Sequence, residues 1–297
     1  MIFVPFVPEM RDLFRNHIGD DQTEVSDNSF LSTFIWNELM KFEVAEVHDC
    51  LIVRLNVEDK TFYRFPIGKG DKKSAVRVVM SEIGNDVVWT ALSDENAVQM
   101  QEYFPNSFKF KHIKIFDDYL YNTEDLINLS GKKYHTKKNH LNSFMRNYEY
   151  NYEDMTAENA KKVLPYFNAW YGARHIDDKD IYLQCEKNAV DKILADFEAF
   201  DSSGGILTVN NEVAAFTISE ELVPGTAHIV IEKAAPHING SYAAINQMHL
   251  ANRWDKTQFV NREDDFGLES LRRAKESYRP YRKIAKYTAT LRGEILE

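Results

Sequence analysis

The sequence predicts an α+β fold of two mixed-sheet halves in tandem, read as residues 1–125 and 126–297. Two observations predict it. Segments with apolar residues three and four apart take turns along the chain with short segments of alternating apolar and polar residues. Helices and strands are therefore interleaved and not segregated. The same order also occurs in both halves: helices, then a strand hairpin, then a helix.

In the first half, residues 27–42 read as an amphipathic helix, with Phe30 and Phe34, Leu31 and Ile35 four apart and Asp27 or Ser29 as its cap. Residues 44–57 alternate as one half-buried strand, and residues 61–65 form a second that turns at Pro66-Ile67-Gly68. A helix over 72–84, a strand over 87–92, a helix over 94–104 and a strand over 108–116 complete the half. Residues 117–130 read as a bridge, followed by a basic helix with Lys133, Lys137 and His140 near one side.

In the second half, helices are expected over 157–170 and within 182–200. Strands over 205–209 and 213–220 make a hairpin turned at Asn210-Asn211. A strand over 226–233, a helix over 241–254 and a strand over 258–260 lead to a polar turn, Asn261 to Asp265. A last helix ends before Pro280. It carries an apolar stripe of Leu268, Leu271, Ala274 and Tyr278 beside a cationic stripe of Arg272, Lys275 and Arg279.

A chain of 297 residues suits one large domain or two ordinary ones, and 44% apolar residues support a packed core. No apolar run approaches the ~18–20 residues that cross a membrane. The N-terminal stretch lacks a basic region and contains two prolines, so it does not read as a signal peptide. Two cysteines, Cys50 and Cys185, are too few for a disulfide framework, and a reduced cytoplasmic setting is expected. A net charge of −10 argues against a general nucleic-acid binder. Yet residues 131–146 carry five Lys/Arg and no acid, and 270–292 carry eight with one acid. Such segregation permits a local anion-binding face, or two solvated helix faces. Lys133, Lys137 and Lys138 are the candidate phosphate or RNA contacts, since phosphate needs charge more than exact geometry. No cysteine pair accompanies the histidines, so a zinc site is not expected.

The strand over 226–233 places His228, Val230 and Glu232 on one face. A part-buried Glu232 fits a general base, or an ion pair with Arg262 or Lys275. Gly240 precedes a helix whose Asn246 and Gln247 can line the same cleft.

The run Asn261-Arg262-Glu263-Asp264-Asp265-Phe266-Gly267-Leu268, continuing through Arg272, Lys275 and Tyr278 to Pro280, resembles a bacterial family related to the C-terminal domain of phosphatidylglycerol lysyltransferase. In that enzyme a similar helix reads roughly Gly-Leu-Arg-x-Phe-Lys-x-x-Phe-x-Pro, and Ile231-Glu232-Lys233-Ala234 upstream also fits. The resemblance covers roughly residues 27–287. It implies two tandem GNAT-like domains, as in the Fem-type aminoacyl transferases, with the site in the second. It also implies an acyl or aminoacyl transferase that moves an activated carboxyl group, most simply from aminoacyl-tRNA, to an amine or hydroxyl acceptor. Glu232 would be base or orienter. Lys275 and Arg272 would hold the donor's phosphate or stabilise the oxyanion, Asn261 and Glu263 would shape the site, and Arg262, Tyr278, Asn246 and Gly240 would line it. Two alternatives stay open: an acetyl-coenzyme A-dependent acetyltransferase, and a non-catalytic RNA- or metabolite-binding protein. Coenzyme A-using GNAT enzymes carry Gln/Arg-x-x-Gly-x-Gly/Ala before this helix. Here His237 stands for the cation and Tyr242 for the second small residue, a departure from the pattern.

Overall fold

The computed structural model describes residues 1–21, 23–173 and 180–292. The chain forms two units, Met1–Asp118 with Lys283–Glu297, and Tyr119–Arg282. The sequence reading divides it at 125/126 instead.

In the first unit the helix Phe30–Met40 begins where the Ser29 side chain accepts from the Ser32 N–H. Its Phe30, Leu31 and Ile35 are buried. The single strand expected over 44–57 is a hairpin, Glu43–Val47 and Cys50–Val57, paired antiparallel. Its turn is His48-Asp49, with φ of 51 and 57°. Two positive φ values define the tight hairpin turn, but this pair is not the Asn-Gly type that announces one. Apolar alternation on both sides of the turn therefore reads as continuous.

Lys60–Arg64 pairs antiparallel with Cys50–Val57 and parallel with Val88–Leu92. The parallel pair needs a crossover, which the helix Lys72–Ile83 supplies. That helix starts at Asp71, whose side chain accepts from the Ser74 N–H. Trp89 is fully buried in the same core cluster as Tyr63, Val76 and Met100.

The second unit repeats this order. Glu212–Val223 and Thr226–Ala234 pair antiparallel, the helix Ser241–Arg253 crosses over, and Phe259–Asn261 returns parallel to Thr226–Ala234. The hairpin Ser203–Val209 to Glu212–Val223 turns at Asn210-Asn211, with φ of 51 and 66°. The bridge expected over 117–130 holds a strand, Asp118–Asn122, and a helix, Thr123–Asn128.

Each sheet takes in one strand that is distant in sequence. Tyr287–Leu291 lies between Val88–Leu92 and Phe108–His112, and Asp118–Asn122 lies between Phe259–Asn261 and Arg282–Ile284. The strand following Phe108–His112 in the chain thus joins the second sheet, and the strand following Arg282–Ile284 joins the first. Neither exchange has a local signal in the sequence.

Lys286, just before the returning strand, is buried in the first unit. Its ammonium donates to the carboxylates of Asp27 and Asp118, the latter at 2.7 Å, and to Ser26 Oγ at 3.2 Å. Asp118 is fully buried and also accepts from the Ser26 N–H and hydroxyl, both at 2.8 Å. Removing one partner of a buried ion pair strands the other charge. Lys286→Ala is therefore expected to lower stability by about 3–5 kcal/mol in urea unfolding, and Asp27→Asn by clearly less, because Asp27 is part-exposed.

Candidate active site

The site is built on Thr226–Ala234 and its parallel neighbour. The sequence reading puts His228, Val230 and Glu232 on one face. The ladder instead slips: Ile218 pairs with Ile231 and Ser219 with Ile229, which leaves Val230 without an opposite number. A bulge of this kind breaks strict alternation, and His228 and Glu232 join separate networks.

Glu232 accepts from Arg262 Nη2 at 2.8 Å and from Asn246 Nδ2 at 3.0 Å. Both of its oxygens are thus occupied. Of the two cations weighed for it, Arg262 is the partner. Glu232 and Arg262 side chains are each only 11% exposed. Arg262 lies over the Tyr278 ring at 4.8 Å and nearer the edge of reach of Tyr121 at 5.8 Å. Burial pushes the Tyr278 phenol up to about 12, against the pull of Arg262. Arg262 Nη1 and Asn246 Oδ1 are buried without a hydrogen-bond partner among the described residues. The Asn246 amide is oriented by its N–H to Glu232, so its oxygen is the atom left open.

His228 is fully buried between two carboxylates, Glu220 Oε1 at 3.3 Å from Nδ1 and Glu263 Oε1 at 3.0 Å from Nε2. Burial opposes its charge, but hydrogen bonds to Glu220 and Glu263 outweigh it and hold the imidazolium up to about 9.

The polar turn folds on its own side chains. Asn261 Oδ1 accepts from the Glu263 N–H at 2.7 Å, Asp264 from the Phe266 N–H at 2.8 Å, and Asp265 from the Gly267 N–H at 2.9 Å. These local bonds stabilise positive φ at Glu263, Phe266 and Gly267. Asp265 also accepts two bonds from Arg272, at 3.0 and 3.1 Å, and one from the Tyr119 hydroxyl at 2.6 Å. Burial raises its carboxyl, yet these donors hold it down to about 2. Lys275 Nζ donates to the carbonyls of Arg262, at 2.5 Å, and Asp264.

The helix carrying these cations is short, Glu269–Glu276, and none of its residues is buried. The expected apolar stripe therefore does not pack: Leu268 is 57% exposed, and of the four stripe residues Tyr278 alone is buried. Ion pairs and Tyr278 anchor this segment instead of an apolar face.

The basic helix is His135–Asn147. Lys133 pairs with Asp125 at 3.2 Å, and Lys138 donates to the Asn128 carbonyl at 3.1 Å. Lys137 instead places its ammonium 4.0 Å from the centre of the Tyr278 ring. Gly240 has φ 85° and is pressed against this helix: a Cβ there would lie 2.4 Å from the His140 carbonyl oxygen and 2.9 Å from Phe144 Cβ.

Sequence reasoning missed the position of Lys137 beside Arg262 and Glu232, and a second buried network. There His249 contacts Ser219 Oγ at 2.8 Å and Tyr152 at 3.0 Å, and Trp254 donates to Ser219 at 2.9 Å. Burial, helped by Arg253, pushes His249 down to about 3, so it is neutral. His249 and Trp254 are five residues apart, a spacing that announces no partnership on a helix face.

A family model described as phosphatidylglycerol lysyltransferase, C-terminal, matches residues 22–290. An uncharacterised protein of Mycoplasmoides gallisepticum is 28% identical over 179 residues, 57% of this chain and 54% of that protein, so the match spans about half the relative's length. A conserved protein of unknown function from Bacteroides thetaiotaomicron superposes with a TM-score of 0.92 at 29% identity, covering 98% of this chain and 100% of that one. The structure of L-PGS from Bacillus licheniformis gives a TM-score of 0.71 at 16% identity over 98% and 93% of the two chains. FemX gives 0.59 at 8% identity over 97% of each. The last two show a shared fold, the tandem GNAT-like α+β arrangement. No described helix is long and apolar enough to cross a membrane.

Two outcomes follow from the buried charges. Arg262→Met is expected to cost about 3–5 kcal/mol in urea unfolding, and adding Glu232→Gln to recover part of it, since the two are coupled. His228 has a folded pKa raised above its ordinary value, so its contribution is complete below about pH 6.5 and is lost as pH rises through about 9. Stability is expected to fall by about 3 kcal/mol across that window, and His228→Gln to flatten the slope.

Proposed function

The chain belongs to the family of the phosphatidylglycerol lysyltransferase C-terminal domain, and from that premise we propose that it is an aminoacyl transferase. The donor is aminoacyl-tRNA, whose ester carbonyl is attacked by an amine or hydroxyl acceptor. The observation that carries this reading is the pair of buried polar atoms beside Glu232 that lack a hydrogen bond among the described residues, the Arg262 Nη1 donor and the Asn246 Oδ1 acceptor. Unpartnered buried polar groups are costly, so a ligand that satisfies both is favoured. An aminoacyl ester has the matching groups. Its carbonyl oxygen accepts from Arg262, which also stabilises the oxyanion that forms on attack. Its ammonium donates to Asn246 Oδ1 and lies within the field of Glu232.

The turn residues Asn261, Glu263 and Asp265 set where Arg262 points, and Lys275 and Arg272 brace that turn through the bonds they donate. The coenzyme A alternative would place a pyrophosphate over the amides at Gly240. The His140 carbonyl and Phe144 fill the space beside Gly240, which supports the aminoacyl reading over that one.

The test is transfer from a labelled pool of aminoacyl-tRNAs into a cell extract that supplies the acceptor, with labelled acetyl-coenzyme A in parallel. Loss of one amino acid from tRNA is expected, reduced at least about 100-fold in Arg262→Gln, as for loss of an oxyanion donor. Asn246→Ala, which keeps the ion pair, should reduce it as well. Labelling from acetyl-coenzyme A alone overturns the proposal, and so does tRNA binding without transfer.

A further inference from the structure

We propose that Lys137 is the proton acceptor of the transfer step, and that Glu232 holds the aminoacyl group without abstracting a proton. This rests on the aminoacyl reading of the site. The geometry separates the two candidates. Glu232 has each oxygen engaged by a donor, Arg262 at 2.8 Å and Asn246 at 3.0 Å. Those bonds commit both oxygens to orienting Arg262 and Asn246. The Lys137 ammonium has no hydrogen-bond acceptor among the described residues and rests on the Tyr278 ring at 4.0 Å.

The charged and titratable groups that act on Lys137 are Arg262, in the turn after Phe259–Asn261, Glu232, on Thr226–Ala234, and the Tyr278 phenol beyond Glu269–Glu276. Burial comes first and Arg262 second in disfavouring the ammonium, and Glu232 opposes them. The balance pushes the lysine down to about 8. That is close enough to neutrality for an amine to exist in its free form, as a general base requires.

The step balances without another reactant. The neutral acceptor loses its N–H or O–H proton to the Lys137 amine while its lone pair bonds the ester carbonyl carbon. The bond from that carbon to the ribose oxygen then breaks. The Lys137 ammonium returns the proton to the departing oxygen. Arg262 stabilises the oxyanion between these two events.

Two measurements test the assignment. Trace acetylation of the intact protein with acetic anhydride, read by peptide mass spectrometry across pH, reports the titration of each lysine. Lys137 should react with a half-point near 8, against about 10.4 for exposed lysines. The pH profile of transfer from aminoacyl-tRNA should rise through the same value. Lys137→Arg keeps the charge and the ring contact but cannot release a proton. It should lose at least about 100-fold in kcat, in the range typical of a lost general base. Glu232→Gln should raise KM and keep a rising limb, moved to lower pH because the Glu232 charge no longer favours the ammonium.

Lys137 titrating with the exposed lysines overturns the assignment, whatever the substrate. Full activity in Lys137→Arg also overturns it, because charge alone would then suffice. A rising limb that disappears in Glu232→Gln returns the base role to Glu232. Absence of any transfer by the wild-type protein sinks the aminoacyl reading and the base role with it, while the low half-point of Lys137 would stand as a separate result.

Discussion

The structure of the second unit depends on how it keeps charge out of water. Glu232, Arg262, His228, Glu220 and Asp265 are mostly or wholly buried, and each faces an opposite charge or a set of donors. Taking such groups from water costs several kcal/mol per ion unless partners compensate. The compensation fixes geometry. Glu232 is held from two sides, so it sets the direction of Arg262 and Asn246, and each of them keeps one buried polar atom without a hydrogen bond among the described residues. The turn from Asn261 to Asp265 can carry five polar residues in a row because its own backbone N–H groups and Lys275 satisfy them. An ordered, charged interior is the setting in which a donor aimed at a developing oxyanion has most effect.

Much of this was legible in the sequence, and the failures have physical causes. Periodicity located the helices Phe30–Met40, Lys72–Ile83 and Ser241–Arg253 and the strand Thr226–Ala234 to within a few residues. The tandem α+β class followed from the repeated order, and its GNAT-like identity from resemblance. The turn at His48-Asp49 stayed hidden because neither residue is a glycine and the alternation runs through it. The strand Asp118–Asn122 stayed hidden because its pairing partners lie far along the chain.

At the site, the sequence singled out Glu232, Arg262, Asn246 and Tyr278, and the structure brings these four together. It could not divide the cations by role. Lys133, Lys137 and Lys138 lie in one basic segment, and its charge pattern does not tell their roles apart. One meets a carboxylate, one a backbone carbonyl, and one an aromatic ring beside another cation. That difference arises from Asp125, Asn128 and Tyr278, none of them predictable neighbours from local pattern. Counting positive charges identifies a basic segment; only the acceptors around each one reveal which are already spent.

The exchange of strands between the two sheets has a consequence for synthesis on the ribosome. Domains generally fold in order as the chain emerges, the N-terminal one first. Here the first sheet has a gap between Val88–Leu92 and Phe108–His112 until residues 287–291 have been made. Lys286 arrives at the same late moment, so Asp118 waits in an incomplete core for its partner. The nascent first half therefore presents two open strand edges for the whole time that the second half is being translated, and closing it couples residues nearly the full chain apart. Pairings of such sequence separation are slow, and unpaired edges invite the wrong neighbour. The strand that closes both open edges of the first sheet is thus translated only after residues 203–261, which carry most of the second sheet.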